Sequence, residues 1–433
     1  MKNLKDKINS AQKVTIANMA TAGLGFISFF IFVRTLELNV FGEWVLYLTA
    51  FNMAEMVRTG LARQGLVHHL VAARQQTTKS HKLRSSAFYL SVFSTLGINA
   101  VLLVIYLLFY YGKESGFAYF FLLYPLISVF SLLPSYESWL WQSKEKMLRM
   151  VSITFIPAFL FAIVALLSFF LNLSLLKIII IHGAIRAVLA IYVILSNKYV
   201  RVSIFKPDFS EIQNLWRFGR YSIASLLGTN LLKSVDHIII GFFIGPEAVA
   251  IYSVPLKLLE IAEIPARSSG QVLLMPLTKL FIQGKYAEMT NRLFKTSIRL
   301  MIMFLPFTIG AFFTAEWIVT FIGGNEMISA AIILQIFLVY VLLMPFDRLL
   351  GVSIDSTGEP KYNSFKVWIM VLVNIVGDLV AVLVFDSLAL VALATVVNIL
   401  IGVVLGFFLF SRQVGGKSIY LPIIKKLKIA KVA

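Results

Sequence analysis

Long apolar runs alternate with short polar gaps along the whole chain. Each run is about 20 residues or longer, which is the length that a helix needs to cross a bilayer core of roughly 30 Å. Only helices and closed barrels satisfy every backbone polar group in lipid, so such runs predict transmembrane helices. The sequence predicts twelve of them, at residues 14–33, 41–70, 88–111, 117–141, 151–171, 176–195, 221–244, 249–280, 296–314, 328–353, 367–385 and 388–410.

The basic residues are concentrated in alternate gaps between these runs. Of 39 Lys and Arg residues, only Arg34, Lys113 and Lys177 lie in or beside the odd-numbered gaps. Most of the others lie before the first run, in the even-numbered gaps or after the last run. Because cytoplasmic loops carry an excess of Lys and Arg, both ends of the chain are predicted to be cytoplasmic. The formal net charge of +18 then faces anionic lipid, and we predict no nucleic-acid partner.

The longest polar interruption, at residues 196–220, divides the predicted spans six and six. The halves look related at a shift of 208 residues, which places Glu55 over Glu263. Both halves would start on the cytoplasmic side, as in a parallel duplication. We therefore predict an all-α integral membrane protein with an N-terminal six-helix lobe (1–197), a cytoplasmic linker with a short interfacial helix (198–220), a C-terminal six-helix lobe (221–411) and a basic cytoplasmic tail (412–433).

Several basic residues lie inside the predicted spans. An Arg or Lys that faces lipid at a helix centre costs about 2.5–3.5 kcal/mol, so most should line a polar interior or pair with acids. Arg58 has Glu55 one turn away, and Lys257 has Glu260, so structural pairing is an alternative for these two. The other candidates show no obvious acid on their own face within one turn. Since Arg matches phosphate oxygens in a bidentate way, we predict a cationic cavity for an anionic substrate. It comprises Arg58, Arg63, Arg186, Lys233, Lys257 and Arg267.

A second group of residues combines acidic side chains with neutral oxygen atoms. Asn374 and Asp378 are four residues apart and share one face of the eleventh span. Hard oxygen ligands without cysteine suit an alkali cation better than zinc or copper. On the pattern alone, the alternative is that Asp236 pairs with Lys233 and that Asp378 carries a proton. The predicted cation site comprises Asp236, Asn374, Asp378, the backbone of Val391 and Thr395.

The six-plus-six arrangement, the short outer turns and the junction Leu215-Trp216-Arg217-Phe218-Gly219 resemble the multidrug/oligosaccharidyl-lipid/polysaccharide (MOP) exporter superfamily. Within it the chain is most similar to the polysaccharide-biosynthesis branch, the O-antigen or capsule repeat-unit flippases, which are related to lipid II flippases and to MATE exporters. The resemblance implies a MATE-like fold in the bacterial inner membrane. It also implies alternating-access flipping of a polyprenyl-pyrophosphate-linked oligosaccharide from the inner to the outer leaflet, coupled to Na⁺ or H⁺ and without another cofactor.

The related lipid II flippases have a sodium site built from spans seven, eleven and twelve. That family pattern falls on the five residues of the predicted cation site. The same relatives line their cavity with arginines from spans one, two and eight. Arg58 or Arg63 and Arg267 match the last two positions, whereas the first span has no interior arginine and so departs from the lipid II pattern. The partners implied are membrane lipid, the lipid-linked oligosaccharide and polysaccharide assembly proteins.

Two other functions are alternatives. A MATE-type multidrug or cation antiporter binds cationic drugs, so its cavity should be lined by acids rather than bases. A membrane enzyme on the same lipid carrier, such as a polysaccharide polymerase or ligase, should carry a sizeable external loop with catalytic residues. Every predicted external gap is short, and the chain has no cysteine for thiol chemistry. We predict that the chain is a transporter and not an enzyme.

Overall fold

The structure, a computed structural model, describes residues 2–72, 77–171, 173–196 and 207–415. Across these ranges the chain is helical and contains no β-strand. A π-helical turn extends the third helix, and a 3₁₀ turn precedes the eleventh. The helices are α1 (Lys2–Thr35), α2 (Leu38–Ala72), α3 (Thr77–Ile105), α4 (Gly116–Ser143), α5 (Met147–Leu171), α6 (Leu175–Ser196), α7 (Phe209–Phe243), α8 (Pro246–Ile282), α9 (Tyr286–Phe313), α10 (Ala315–Gly323), α11 (Ala330–Ser356), α12 (Pro360–Leu383) and α13 (Leu388–Gln413).

Within the described residues, nine helices are long and apolar enough to cross a membrane: α1, α3, α4, α5, α6, α9, α11, α12 and α13. Three more, α2, α7 and α8, have 35, 35 and 37 residues. At about 1.5 Å per residue these three are also long enough to cross, but they contain interior charges such as Arg58, Asp236 and Glu263. The prediction of an all-helical, multi-pass membrane protein is confirmed.

The chain divides into two compact units, Met1–Asn230 and Leu231–Ala433. In the first unit, aromatic rings of α2, α5 and α6 pack together. Trp44 stacks on Tyr47 and on Phe161, with ring centroids 5.3 and 5.2 Å apart. Nδ1 of His182 lies 3.0 Å from the Tyr47 hydroxyl. In the second unit, the buried ring of Tyr252 from α8 packs edge-on against Phe337 of α11, at 5.5 Å.

The short interfacial helix predicted in the linker is not a separate element, because α7 runs without interruption from Phe209 to Phe243. Asp208 caps its start by accepting a hydrogen bond from the backbone N–H of Ser210, and it also pairs with Lys82 at 2.9 Å. Hydrogen bonds from Ser210 and Lys82 lower the pKa of Asp208 to about 2, so the cap stays ionised. Leu215 is buried in the core formed with α2, α3 and α4.

The helix continues past this packing site because its sequence contains no proline and only isolated glycines, each of which costs about 1 kcal/mol. The remainder of the predicted linker, up to residue 206, and the predicted tail from residue 416 onward lie outside the described residues.

α4 begins with a glycine that lies directly against α2. A Cβ atom at Gly116 would collide with the backbone carbonyl oxygen of Glu43, and the Gly116 N–H donates to the Glu43 carboxylate. Because a backbone atom cannot move aside easily, we expect Gly116→Ala to destabilise the protein by about 1–3 kcal/mol. The measurement is thermal unfolding in detergent. Gly97→Ala is the control, since nothing lies within 4 Å of a Cβ there. Equal stability of the two variants would contradict this packing.

Candidate functional site

Side chains from three helices, α7, α12 and α13, form a buried polar group in the second unit. Nδ2 of Asn374 donates to Oδ1 of Asp236 at 2.7 Å and to Oδ2 of Asp378 at 2.9 Å. Oγ1 of Thr395 lies 3.2 Å from Oδ2 of Asp236 and 3.2 Å from the carbonyl oxygen of Val391. α7, α12 and α13 thus place all five residues of the predicted cation site in one connected group, which we call the Asp236 cluster.

Two further side chains belong to the Asp236 cluster and were not predicted. The hydroxyl of Tyr252 from α8 donates to Oδ2 of Asp236 at 2.5 Å. Nδ2 of Asn398 donates to Oδ1 of Asn374 at 3.0 Å. Asn398 follows Thr395 by three residues on one face of α13, which is a spacing that could have identified it. No spacing in the sequence connects Tyr252 with α7.

The Asp236 cluster contains two buried carboxylates bridged by one amide. Two such charges repel each other in a low-dielectric interior unless a proton or a cation compensates one of them. The alternative partner of Asp236, Lys233, pairs with Glu263 instead. Oδ1 of Asp378 is buried and has no hydrogen-bond partner among the described residues. These oxygen donors fit a proton or a hard alkali cation. The Asn374 amide would have to turn before its oxygen could face a cation.

A second group in the same unit is rich in positive charge. Oε2 of Glu263 accepts hydrogen bonds from Lys233 at 3.0 Å, Arg267 at 3.1 Å and Arg348 at 2.9 Å. Three cations share one carboxylate, so this Glu263 cluster keeps an excess of positive charge. The Arg267 and Lys233 side chains are 56% and 40% exposed, which leaves some of their N–H donors accessible.

The prediction that Arg267 has no acid on its own helix face within one turn is therefore wrong. Glu263 precedes Arg267 by four residues on the same face of α8. Lys233 reaches the same carboxylate from α7, which is a contact between helices that no spacing along the chain predicts.

Arg58 is fully buried in the first unit. Its Nε and Nη2 donate to the two carboxylate oxygens of Glu55 at 2.9 and 2.6 Å, and Nη2 also donates to Ser135 at 3.1 Å. The Tyr124 hydroxyl donates to the same carboxylate at 3.1 Å. This enclosed geometry favours the structural alternative for Arg58 over direct contact with a substrate.

The other predicted cavity residues have different surroundings. The Arg186 guanidinium lies over the ring of Phe51 at 5.7 Å, and its Nε is buried without a hydrogen-bond partner among the described residues. Arg63 is exposed, and its hydrogen bonds to the described residues are two long contacts of 3.4 Å with a glutamine of α4. Lys257 pairs with Glu260 at 2.7 Å, as the structural alternative predicted. Arg63 and Arg186 therefore keep the donor capacity that an anion would need.

One interior ion pair was missed. Nζ of Lys366 lies 2.6 Å from Oδ1 of Asp347, and Lys366 is only 2% exposed. The apolar pattern placed Lys366 just before the eleventh span, whereas α12 already begins at Pro360. Arg348, the neighbour of Asp347, turns to Glu263 instead.

Comparison with known proteins identifies the family. Residues 13–281 match the family described as "Polysaccharide biosynthesis protein". The chain is 20% identical over 206 residues to the probable low-salt glycan biosynthesis flippase Agl15 of Haloferax volcanii, which covers 48% of this chain and 43% of that protein. It is 27% identical over 135 residues to the teichuronic acid biosynthesis protein TuaB of Bacillus subtilis, which covers 30% and 27%. The chain thus spans less than half the length of these curated relatives.

Two solved structures share the fold. An inward-facing MATE family multidrug transporter of the MOP superfamily gives a TM-score of 0.74 at 12% identity, over 90% of this chain and 95% of that one. The lipid II flippase MurJ in an inward closed conformation gives 0.73 at 15% identity, over 96% and 92%. None of these named relatives is named as an enzyme, in agreement with the prediction for this chain. The predicted resemblance to polysaccharide-biosynthesis proteins is confirmed, and the chain belongs to the polysaccharide biosynthesis protein family.

Proposed function

We propose that this chain is a flippase that moves a polyprenyl-pyrophosphate-linked oligosaccharide from the inner to the outer leaflet of the bacterial inner membrane. The oligosaccharide would serve the synthesis of a cell-surface polysaccharide, such as the O-antigen of lipopolysaccharide or a capsule, with polysaccharide assembly proteins as partners. In this proposal α2, α7 and α8 join the nine apolar helices to make twelve spans. These would form two six-helix lobes with both chain ends in the cytoplasm.

The Glu263 cluster supports the substrate class most directly. Its three cations share one carboxylate, so two positive charges stay available for an anion. A pyrophosphate carries several oxygen acceptors, and the Arg267 guanidinium can donate to two of them at once. In the first unit, Arg63 and Arg186 are further candidate donors for an anion.

Transport would proceed by alternating access, driven by uptake of one Na⁺ or one proton in the Asp236 cluster. A bound cation can drive such a change only if the two conformations bind it with different affinities. α7 offers a direct link between the two clusters, because Lys233 and Asp236 are three residues apart on the same helix. α8 is a second link, since it carries Tyr252 of one cluster and Glu263 of the other.

Arg267→Ala is expected to abolish export without lowering the amount of protein, whereas Arg267→Lys should keep part of it because lysine retains the charge. Export is measured as surface polysaccharide in cells whose only copy of the gene carries the substitution, with the protein quantified in parallel. Lys279→Ala, which removes an exposed base of the same helix, is the control and should export normally. Wild-type export from Arg267→Ala would overturn the assignment of the Glu263 cluster.

Ligand-induced stabilisation of the purified protein distinguishes the proposed flippase from a drug exporter. We expect a polyprenyl-pyrophosphate sugar to raise the melting temperature of the wild type and to raise that of Arg267→Ala less. A cationic dye should have no such effect. Stabilisation by the dye alone would identify a MATE-type exporter instead.

A further inference from the structure

A cavity of about 550 Å³ lies between α8 and α9, and none of its lining residues belongs to the Asp236 or Glu263 cluster. Arg292, Lys295 and Arg299 line it from α9, with spacings that put them on one face of the helix. Ser269 of α8 and Thr296 of α9 add hydroxyl groups. Ligand pockets in proteins typically measure about 300–1,000 Å³, so the space suits a head group rather than a single water.

The three cations have no acidic partner within the part of the chain that the structure describes. Neither Arg292 nor Lys295 nor Arg299 forms an ion pair there. Glu288, one turn before Arg292, does not pair with it. Like charges three or four residues apart on a helix repel each other, so this face of α9 costs stability in isolation. An anion bound between the three side chains would remove that cost.

The face of α9 that carries these cations becomes apolar one turn further on. Ile302 and Met303 follow Arg299 by three and four residues and are 59% and 43% exposed. Val272 of α8, which lines the cavity, is 73% exposed. A cationic cavity that continues into exposed apolar surface matches an amphiphile with a charged head and a hydrocarbon chain. A free phosphate would contact only the cationic part of this surface and not its apolar part.

We propose that this cavity binds the phosphate head group of an anionic membrane lipid, with Arg292, Lys295 and Arg299 donating to its oxygens and the lipid chain lying along Ile302 and Met303. Basic pockets between membrane helices bind phosphorylated head groups in this way. The site does not depend on the proposed transport function, because it requires only a lipid with a negatively charged phosphate.

The test is lipid retention by the purified full-length protein, followed by native mass spectrometry. The probes are phosphatidylglycerol, polyprenyl phosphate, phosphatidylcholine and inorganic pyrophosphate. We expect the wild type to retain phosphatidylglycerol or polyprenyl phosphate. The triple variant R292Q/K295Q/R299Q should retain at least tenfold less. A matched control must remove the same charge elsewhere. The triple variant R149Q/K279Q/K285Q does so at three exposed bases that form no ion pair with the described residues.

Equal loss of lipid from both triple variants would overturn the proposal, since it would mean that only the total charge matters. Pyrophosphate bound as tightly as the lipids would overturn the lipid assignment and indicate a free-phosphate site. If the pocket triple variant does not fold, Arg299→Gln alone is compared with Lys279→Gln. A severalfold loss of bound lipid in Arg299→Gln alone supports the site. Equal lipid retention by the two variants contradicts it.

Discussion

Asp378→Asn is expected to remove the dependence of thermal stability on the coupling cation and to reduce transport strongly. The side chain keeps its size, but the Asp236 cluster then holds one carboxylate instead of two and no longer needs a compensating charge. The effect on transport should be large. Coupling free energies between cation binding and a conformational change are typically about 1–3 kcal/mol, which corresponds to roughly 5- to 150-fold changes in cation affinity. The measurement is the melting temperature in detergent with sodium or potassium at constant ionic strength, together with export in cells.

The same substitution outside the cluster provides the control. Asp355 of α11 is exposed and accepts hydrogen bonds from Asn363 at 3.0 and 3.1 Å, so Asp355→Asn should keep the cation response of the wild type. Sodium coupling and proton coupling give different wild-type results. Sodium should stabilise at fixed pH where potassium does not, whereas a bound proton should stabilise the folded protein as the pH falls, without sodium. If sodium or low pH stabilises Asp378→Asn as much as the wild type, the Asp236 cluster is not the cation site.

The helices were predictable because lipid leaves a spanning backbone few alternatives. The predicted span 388–410 corresponds to α13, which runs from Leu388 to Gln413, and 328–353 corresponds to α11. Helix ends outside the apolar runs were not predictable from hydropathy. α12 starts at Pro360 rather than near residue 367, and this error hid the burial of Lys366.

Pairs within one helix were predictable, and pairs between helices were not. The bond between Asn374 and Asp378 follows from their four-residue spacing. The Arg267 pair with Glu263 has the same four-residue spacing, so the sequence alone contains the signal for it. The approach of Tyr252 to Asp236 depends on how α7 and α8 pack, and helix packing is not encoded in the spacing of residues along one helix.

Glu55→Gln is expected to lower the free energy of unfolding by about 3–5 kcal/mol, because it leaves a buried cation without its counter-ion. The Arg58 side chain is 0% exposed and the Glu55 side chain only 20%, so water cannot replace the lost carboxylate. Glutamine keeps the shape and one acceptor oxygen, so the change tests charge rather than packing. The measurement is chemical or thermal unfolding of the purified protein in detergent.

The double variant E55Q/R58M should recover most of this loss, since an apolar side chain of similar length needs no counter-ion. The matched control is Glu260→Gln, which breaks the Lys257 pair where the side chains are 27% and 57% exposed, and it should cost less than about 1 kcal/mol. If Glu55→Gln costs no more than Glu260→Gln, the Arg58 charge is not balanced by Glu55. If the double variant folds and still exports, Arg58 supports the fold and does not bind substrate. If it folds but does not export, Arg58 returns to the set of substrate ligands, and the structural assignment made from its burial is wrong.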